Sequence, residues 1–403
     1  MGLRRARRIL ERKGGRWAVD PVSRRAYDLR PFLVMDVLER AQALEGQGRS
    51  VVHLEIGEPD FATPAPIVQA AQRAMAAGMT HYTSSLGILP LREAIARHYE
   101  SAYGVPVSPG QVVVTSGTSP ALLLVLLALL DPGDEVIMPN PRYPCYPNFV
   151  AAAGGRPVDV PVEEGCDFAL DPAQVRARWT PRTKAVLLAS PGNPTGTVMS
   201  AGALGELAET VAERGGYLIV DEIYHGLTYE GRARSALEVT DRAFVIDGFS
   251  KRYAMTGWRL GYAVVPPDFV RPIQKLQQNL FICANAFVQH AGVAALEECG
   301  EHVAQMAAEY NRRRLHLLQR LNDVGLPVRS RPTGAFYVFV DASRIDRNSH
   351  RLAFDLLNKA GVAVAPGIDF GSRGEGFLRL SYAASIDAID EGMERLAAYL
   401  AER

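Results

Sequence analysis

Lys251 and Arg259 stand eight residues apart in SKRYAMTGWRLGY, residues 250–262, an apolar stretch punctuated by glycine. A lysine near a second cation, partly withdrawn from water, has a lowered pKa and becomes a nucleophile. Three further segments could serve such chemistry. VDEIY, residues 220–224, places Asp221 at the end of an apolar run, where a carboxylate must be hydrated, paired or used. It could equally cap a following helix, and Tyr224 lies close enough to face the same crevice. PGNPTG, residues 191–196, would hold Asn193 outside regular structure, although turn-making alone would explain it. TSGTS, residues 115–119, offers backbone N–H groups, hydroxyls and a helix start to one point, which suits a phosphate. Ser116 or Thr118 could instead merely cap that helix.

The elements that must carry these residues are legible as alternating patterns. Strand-length apolar runs occur at 112–115, 135–138, 184–189, 217–221, 243–247 and 261–265, most rich in Val, Ile and Leu and bounded by Gly, Pro or Asp. Helical stretches such as 204–214 lie between them. Runs apolar on both faces, alternating with helices, predict an α/β fold whose mainly parallel sheet is sandwiched by helices. Ligands then gather at the carboxyl ends of the strands. The Pro-rich segment 139–147 reads as an ordered loop after a strand. The apolar run 121–130 is about half of the ~20 residues a membrane span needs, so it reads as a buried helix.

A chain of 403 residues, 48% hydrophobic, exceeds the usual size of a single core. The ends differ in texture from the middle, with a long charged helix at 301–321 and short strands around 335–340. The expected organisation is therefore an N-terminal arm and first part of a smaller α+β domain at 1–62, a large domain at 63–302, and the rest of the smaller domain at 303–403. Zero formal net charge gives no reason to expect a nucleic-acid or membrane partner. Cys145, Cys166, Cys283 and Cys299 are too widely spaced for a zinc or redox motif and are expected to be reduced thiols in a cytoplasmic protein. A basic start (Arg4, Arg5, Arg7, Arg8, Arg12, Lys13, Arg16) without a following apolar region is not a secretory signal and is expected to be a solvated or partner-draping arm.

Taken in order, PGNPTG, VDEIY and GFSKRYAMTGWRLG resemble the fold-type I, class I and II aminotransferases that use pyridoxal 5′-phosphate. The likeness runs from about Leu29 to about Ala384. It implies that Lys251 holds the cofactor aldehyde and moves the substrate proton, and that Asp221 pairs with the pyridine nitrogen. Asn193 and Tyr224 resemble the pair on the ring oxygen. Arg259 resembles the phosphate-binding arginine, assisted by Gly117, Thr118 and Ser119. Tyr143 falls where an aromatic residue stacks on the pyridine ring, often a tryptophan. Tyr82, in HYTSSLG, resembles the tyrosine that crosses from a second subunit to the phosphate, which implies a homodimer with shared sites. Arg379, in FLRLSYA, matches the arginine that grips the substrate α-carboxylate, and Gly57, in IGEPDF, the position whose backbone closes over it.

The resemblance leaves the substrate open. Gly248 stands where the family often has a phosphate-binding serine, and Ser119 where one bacterial aspartate aminotransferase branch has a lysine for a distal carboxylate. The segment FICAN, residues 281–285, which in relatives reaches the neighbouring subunit's site, offers no cation. Alanine, aromatic or other neutral amino acids are therefore the expected donors and 2-oxoglutarate an expected acceptor, by a ping-pong cycle. The alternatives are aspartate transamination, a C–S lyase on the same cofactor and, more remotely, an aminotransferase-like regulator.

Overall fold

All six apolar runs are strands. In the computed structural model, which describes residues 22–402 and the backbone of 12–13 and 16–17, they are β1 (Val112–Thr115), β2 (Glu135–Asn140), β4 (Thr183–Ala189), β5 (Tyr217–Asp221), β6 (Ala243–Gly248) and β7 (Gly261–Val264). Sequence reading misses β3 (Arg156–Pro161), which pairs with β2. Its two prolines remove amide donors and break the apolar run, and it lies at the sheet edge, where proline is tolerated. The seven strands run in the order β1-β7-β6-β5-β4-β2-β3. Every pairing is parallel except those of β7, which is antiparallel to β1 and β6.

Side chains alternate between two cores, one on each face of this sheet. Val186, Leu188, Leu218, Val220 and Val245 enter one core, whereas Ala185, Leu187, Ile219, Phe244 and Ile246 enter the other. Each core is closed by a helix. α2 (Thr118–Leu129) gives Leu122, Leu124, Val125 and Leu126 to the second, and α3 (Ala201–Glu213) gives Leu204, Leu207 and Val211 to the first. Truncating such a fully buried leucine, Leu207→Ala for example, costs about 2–5 kcal/mol. The structural result is a rigid platform whose strand ends hold loops in fixed positions.

A third core is built from both ends of the chain, Val52 and Leu54 packing with Leu317, Leu321, Leu378, Leu380 and Leu396. Here β8 (Tyr337–Asp341) and β9 (Ala365–Pro366) flank β10 (Phe377–Ser381), both antiparallel to it. Val52–His53 pairs with Val362–Ala363 in a parallel ladder. α4 (Gly300–Asp323) and α5 (Ile386–Ala401) pack on this core, while α1 (Leu33–Glu45) packs through Val37, Ala41 and Leu44 against Leu357 and Ala363. The described residues from Phe32 onward form one compact unit, and those before it belong to another. Within the latter, Arg12–Lys13 pairs with Arg16–Trp17, and Ser23 caps a short helix over Arg24–Asp28. The side chains of the basic arm lie outside the described residues. Among the described residues, no helix is long and apolar enough to cross a membrane.

Candidate active site

The carboxyl ends of adjacent strands deliver the chemistry. Asn193 follows β4, Asp221 ends β5, and Lys251 sits three residues beyond β6. They line a cavity of about 310 Å³ together with Gly57, Thr118, Ser119, Tyr143, Tyr224, Arg259 and Arg379. Two of the expected residues stand apart from that lining. Gly117 has φ +94°, and a Cβ there would come within 2.5 Å of Arg259 Nη2, so only glycine lets the guanidinium lie against this loop. Tyr82 is 82% exposed on the surface. Its neighbour Thr83 donates its N–H to Cys283 Sγ, which places the 281–285 segment beside Tyr82 and not at this chain's own cavity.

Lys251 Nζ donates to the Gly57 carbonyl at 2.6 Å. Burial lowers its pKa to about 8; Glu58 opposes the shift, while the Arg379 and Arg259 charges reinforce it. Asp221 accepts from Tyr146 Oη at 2.8 Å and from the Ile223 N–H at 3.2 Å. Burial nevertheless pushes its pKa up to about 6, against those two bonds. A buried carboxylate held up in this way favours a cationic partner, such as a protonated ring nitrogen.

Arg379, 2% exposed, projects from the middle of β10. Nη1 donates to Asn193 Oδ1 at 2.9 Å and Nη2 to the Glu55 carbonyl. Its guanidinium lies 4.2 Å from the centre of the Tyr337 ring. Nε has no partner among the described residues, so the arginine retains donor capacity toward an anion. Tyr337 Oη in turn meets Tyr224 Oη at 2.8 Å. The same hydroxyl would lie 2.2 Å from any Cβ at position 57, which explains the glycine there.

On the cavity wall, α2 starts at Thr118 without a side-chain cap, so Ser116 and Thr118 do not cap it. Its first amides lack intrahelical acceptors and, with the Arg259 guanidinium and the hydroxyls of Thr118, Ser119 and Ser250, form a site matched to a phosphate dianion. The glycine at 248 has a packing cause. Its Cβ would lie 3.1 Å from Gly261 Cα, from the Leu260 carbonyl and from Thr118 Cγ2, so a serine would need these neighbours to give by a few tenths of an ångström. The set as a whole fits a phosphorylated pyridine aldehyde: an anion site, a carboxylate for a ring cation, and an amine between them.

Sequence reading misses Tyr146, Ser250 and Tyr337, and the apolar wall of Phe32, Val34, Met35 and Leu38. Ser250 adjoins Lys251, and Tyr146 follows Tyr143 by three residues at the start of a helix; both spacings were available as signals. The wall carried none. It belongs to α1, anchored when the Leu33 and Val34 amides donate to Asp369, over three hundred residues away.

Comparison with known proteins agrees with this geometry. Residues 49–398 match the family described as aminotransferase class I and II. The chain is 42% identical over 383 residues to the (5-formylfuran-3-yl)methyl phosphate transaminase of Methanocaldococcus jannaschii, covering 94% of this chain and 99% of that one. It is 41% identical to the aspartate/prephenate aminotransferase of Thermus thermophilus, with 94% and 98% covered. Among solved structures, the aspartate aminotransferase of Thermus thermophilus with maleate superposes with a TM-score of 0.91 at 40% identity, covering 94% of this chain and all of that one. The chain belongs to the class I and II aminotransferases, transferases of fold type I that depend on pyridoxal 5′-phosphate.

Proposed function

We propose that this enzyme moves an amino group between a neutral L-amino acid, of the alanine or aromatic type, and a 2-oxo acid such as 2-oxoglutarate, by a ping-pong cycle. The observation that carries the reading is the convergence of Lys251, Asp221 and Arg379 on one cavity. When bound, pyridoxal 5′-phosphate supplies an aldehyde that takes up the amino group and a ring that accepts electrons. Thr118, Ser119 and Arg259 would hold its phosphate beside Gly117, Asp221 would hold the ring nitrogen, Asn193 and Tyr224 the ring oxygen, and Tyr143 would supply the aromatic face for the ring. Arg379 orients the substrate by its α-carboxylate, and the Gly57 backbone closes on the same group. Lys251, with a pKa near 8, loses its proton readily enough to take one from the substrate Cα and return it.

The neutral donor is favoured by charge. Among the described residues lining the cavity the cations are Lys251, Arg259 and Arg379, each already assigned, and the rest of the wall adds the apolar Phe32, Val34, Met35 and Leu38, several hydroxyls and a further acid, Glu58. A second carboxylate would find no free partner there. Relatives are named for aspartate, prephenate and aromatic amino acids, so both kinds of donor occur among them.

The active form in this reading is a cytoplasmic homodimer in which Tyr82 of each copy reaches the other's phosphate. The exposed side chains of Tyr82, Leu280 and Ile282 support it as unused apolar surface beside the 281–285 segment. The boundaries at 62/63 and 302/303 separate a large domain from a smaller one that closes over substrate, carrying Gly57 and Arg379.

A panel of single amino acids added to the holoenzyme, followed by the visible absorbance of the cofactor, tests this. Alanine or an aromatic amino acid should convert the cofactor, and 2-oxoglutarate should restore it. Conversion by aspartate or glutamate alone would overturn the neutral-donor reading. Pyruvate released from a sulfur amino acid without an acceptor would make the enzyme a lyase.

A further inference from the structure

Behind Asp221 and Lys251 the protein buries a second set of charges that the reading above does not use. Arg252 adjoins Lys251 but is itself buried, at 5% exposure, and its guanidinium donates to three separate segments. Nε reaches the His225 carbonyl at 2.7 Å, in the loop after β5. Nη1 reaches His98 Nε2 at 2.8 Å, and Nη2 lies 3.4 Å from Asp247 Oδ2, on β6. Arginine only donates, so His98 accepts through an unprotonated Nε2. Burial and the Arg252 charge hold both His98 and His225 down to about 3, which keeps them neutral.

The partners of Arg252 are themselves pinned. Asp247 accepts from Tyr262 Oη at 2.9 Å and from the Gly248 N–H. His225 Nε2 donates to the Ser190 carbonyl at 3.0 Å, three residues before Asn193, which leaves its Nδ1 to accept from Tyr103 Oη at 2.8 Å. Glu222, fully buried next to Asp221, accepts from Ser235 Oγ and the Ala236 N–H. One polar network therefore joins the loops that carry Asn193, Asp221 and Lys251. Gly226, at φ +88°, leaves the passage for Arg252, since a Cβ there would come within 2.9 Å of its Nε.

The segment that Arg252 anchors needs such a hold. Residues 250–253 form turns and not a helix or strand, and the Lys251 amine itself is held by the Gly57 carbonyl. We infer that Arg252 is a positioning residue for Lys251: by tying this turn to His225, Asp247 and His98 at once, it sets where the amine lies relative to Asp221. The inference rests on the reading that Lys251 is the lysine that bonds the cofactor.

The test separates placement from folding. Apoprotein is mixed with pyridoxal 5′-phosphate, and three quantities are recorded: the cofactor dissociation constant, the thermal midpoint, and the rate of covalent capture by visible absorbance with borohydride trapping. In capture the Lys251 nitrogen bonds the aldehyde carbon and water leaves. Arg252→Met should slow capture roughly tenfold to a hundredfold, as expected for an ångström-scale misplacement, with the dissociation constant changed only a few-fold. Arg252→Lys, which keeps the charge but carries its donors on a single nitrogen and so cannot span acceptors met separately by Nε, Nη1 and Nη2, should fold and show an intermediate rate. A folded Arg252→Lys protein that captures at the wild-type rate would overturn the inference, as would slowing only in proportion to lost affinity. Trapping of cofactor by Lys251→Ala at the wild-type rate would instead overturn the assignment of Lys251, and this inference with it.

Discussion

The two sides of the cavity are built on different principles. One side comes from the seven-stranded sheet, where Asn193, Asp221 and Lys251 leave neighbouring parallel strands in sequence order within about sixty residues. The other comes from the chain ends, where Arg379 of β10 donates to the carbonyl of Glu55, 324 residues earlier. On the sheet side each residue leaves the end of its own strand, so a short motif carries the chemistry and most of its position, with Lys251 held further by the Gly57 carbonyl and through Arg252. On the end-built side a residue is placed by contacts with a distant segment, so its motif carries the chemistry alone. The sheet side accordingly holds the groups proposed for the cofactor, and the end-built side those proposed for the substrate carboxylate.

This division is tested by substitutions that should injure one side and spare the other. Lys251→Ala should have the largest effect, lowering turnover by roughly 10⁴-fold or more and abolishing covalent capture of the cofactor, as read by steady-state rates and absorbance. Arg379→Gln should come next. Removing a buried, hydrogen-bonded charge from its anionic partner costs about 2–5 kcal/mol, so kcat/KM for the amino acid should fall by about 1.5 to 3.7 powers of ten while cofactor affinity holds. Asp221→Asn should show the opposite pattern, with weaker cofactor binding and lower kcat. Because burial holds the Asp221 pKa near 6, wild-type cofactor affinity should gain as pH rises through that value and the carboxylate ionises. Equilibrium binding at several pH values should show the Asn variant without that gain.

Smaller effects sharpen the same comparison. Gly57→Ala places a methyl group against the Tyr337 hydroxyl, a clash worth about 1–3 kcal/mol, and should raise KM for the amino acid more than it lowers cofactor affinity. The smallest expected effect is on stability. His53 is raised to about 9, first by its hydrogen bond to Glu55, against burial and with further help from Glu45. A histidine pKa raised by folding stabilises fully below about 6.5 and loses that contribution as pH climbs to about 9. Since the imidazole is partly exposed, the contribution should be about 1 kcal/mol after solvent screening. Urea unfolding from pH 6 to 9.5 should show this decline in the wild type, and His53→Gln should flatten it.

Legibility in the sequence follows the same line. The six strands recognised are those buried on both faces, because a continuous Val, Ile and Leu run needs no partner to be read. β3 escaped because Pro157 and Pro161 interrupt its pattern and its edge position tolerates them. Lys251, Asp221 and Asn193 were legible because each sits in a strand-end motif. Tyr337 was not, since nothing in AFYVF indicates that its hydroxyl will meet Tyr224 and exclude a side chain at Gly57. Arg252 was hidden for a related reason. Its burial depends on acceptors from three separate segments, none of which the residues around Lys251 point to.

The most direct test of the central claim is the identity of the lysine that bonds the cofactor. The chain has five lysines, at 13, 184, 251, 275 and 359. Among the four in the described region only Lys251 lines the cavity. Borohydride reduction of the holoenzyme, proteolysis and mass spectrometry should place the pyridoxyl group on Lys251 at close to one per chain, with the other four unlabelled. A stoichiometric label on any other lysine, or none on Lys251 in an enzyme that transaminates, would contradict the account.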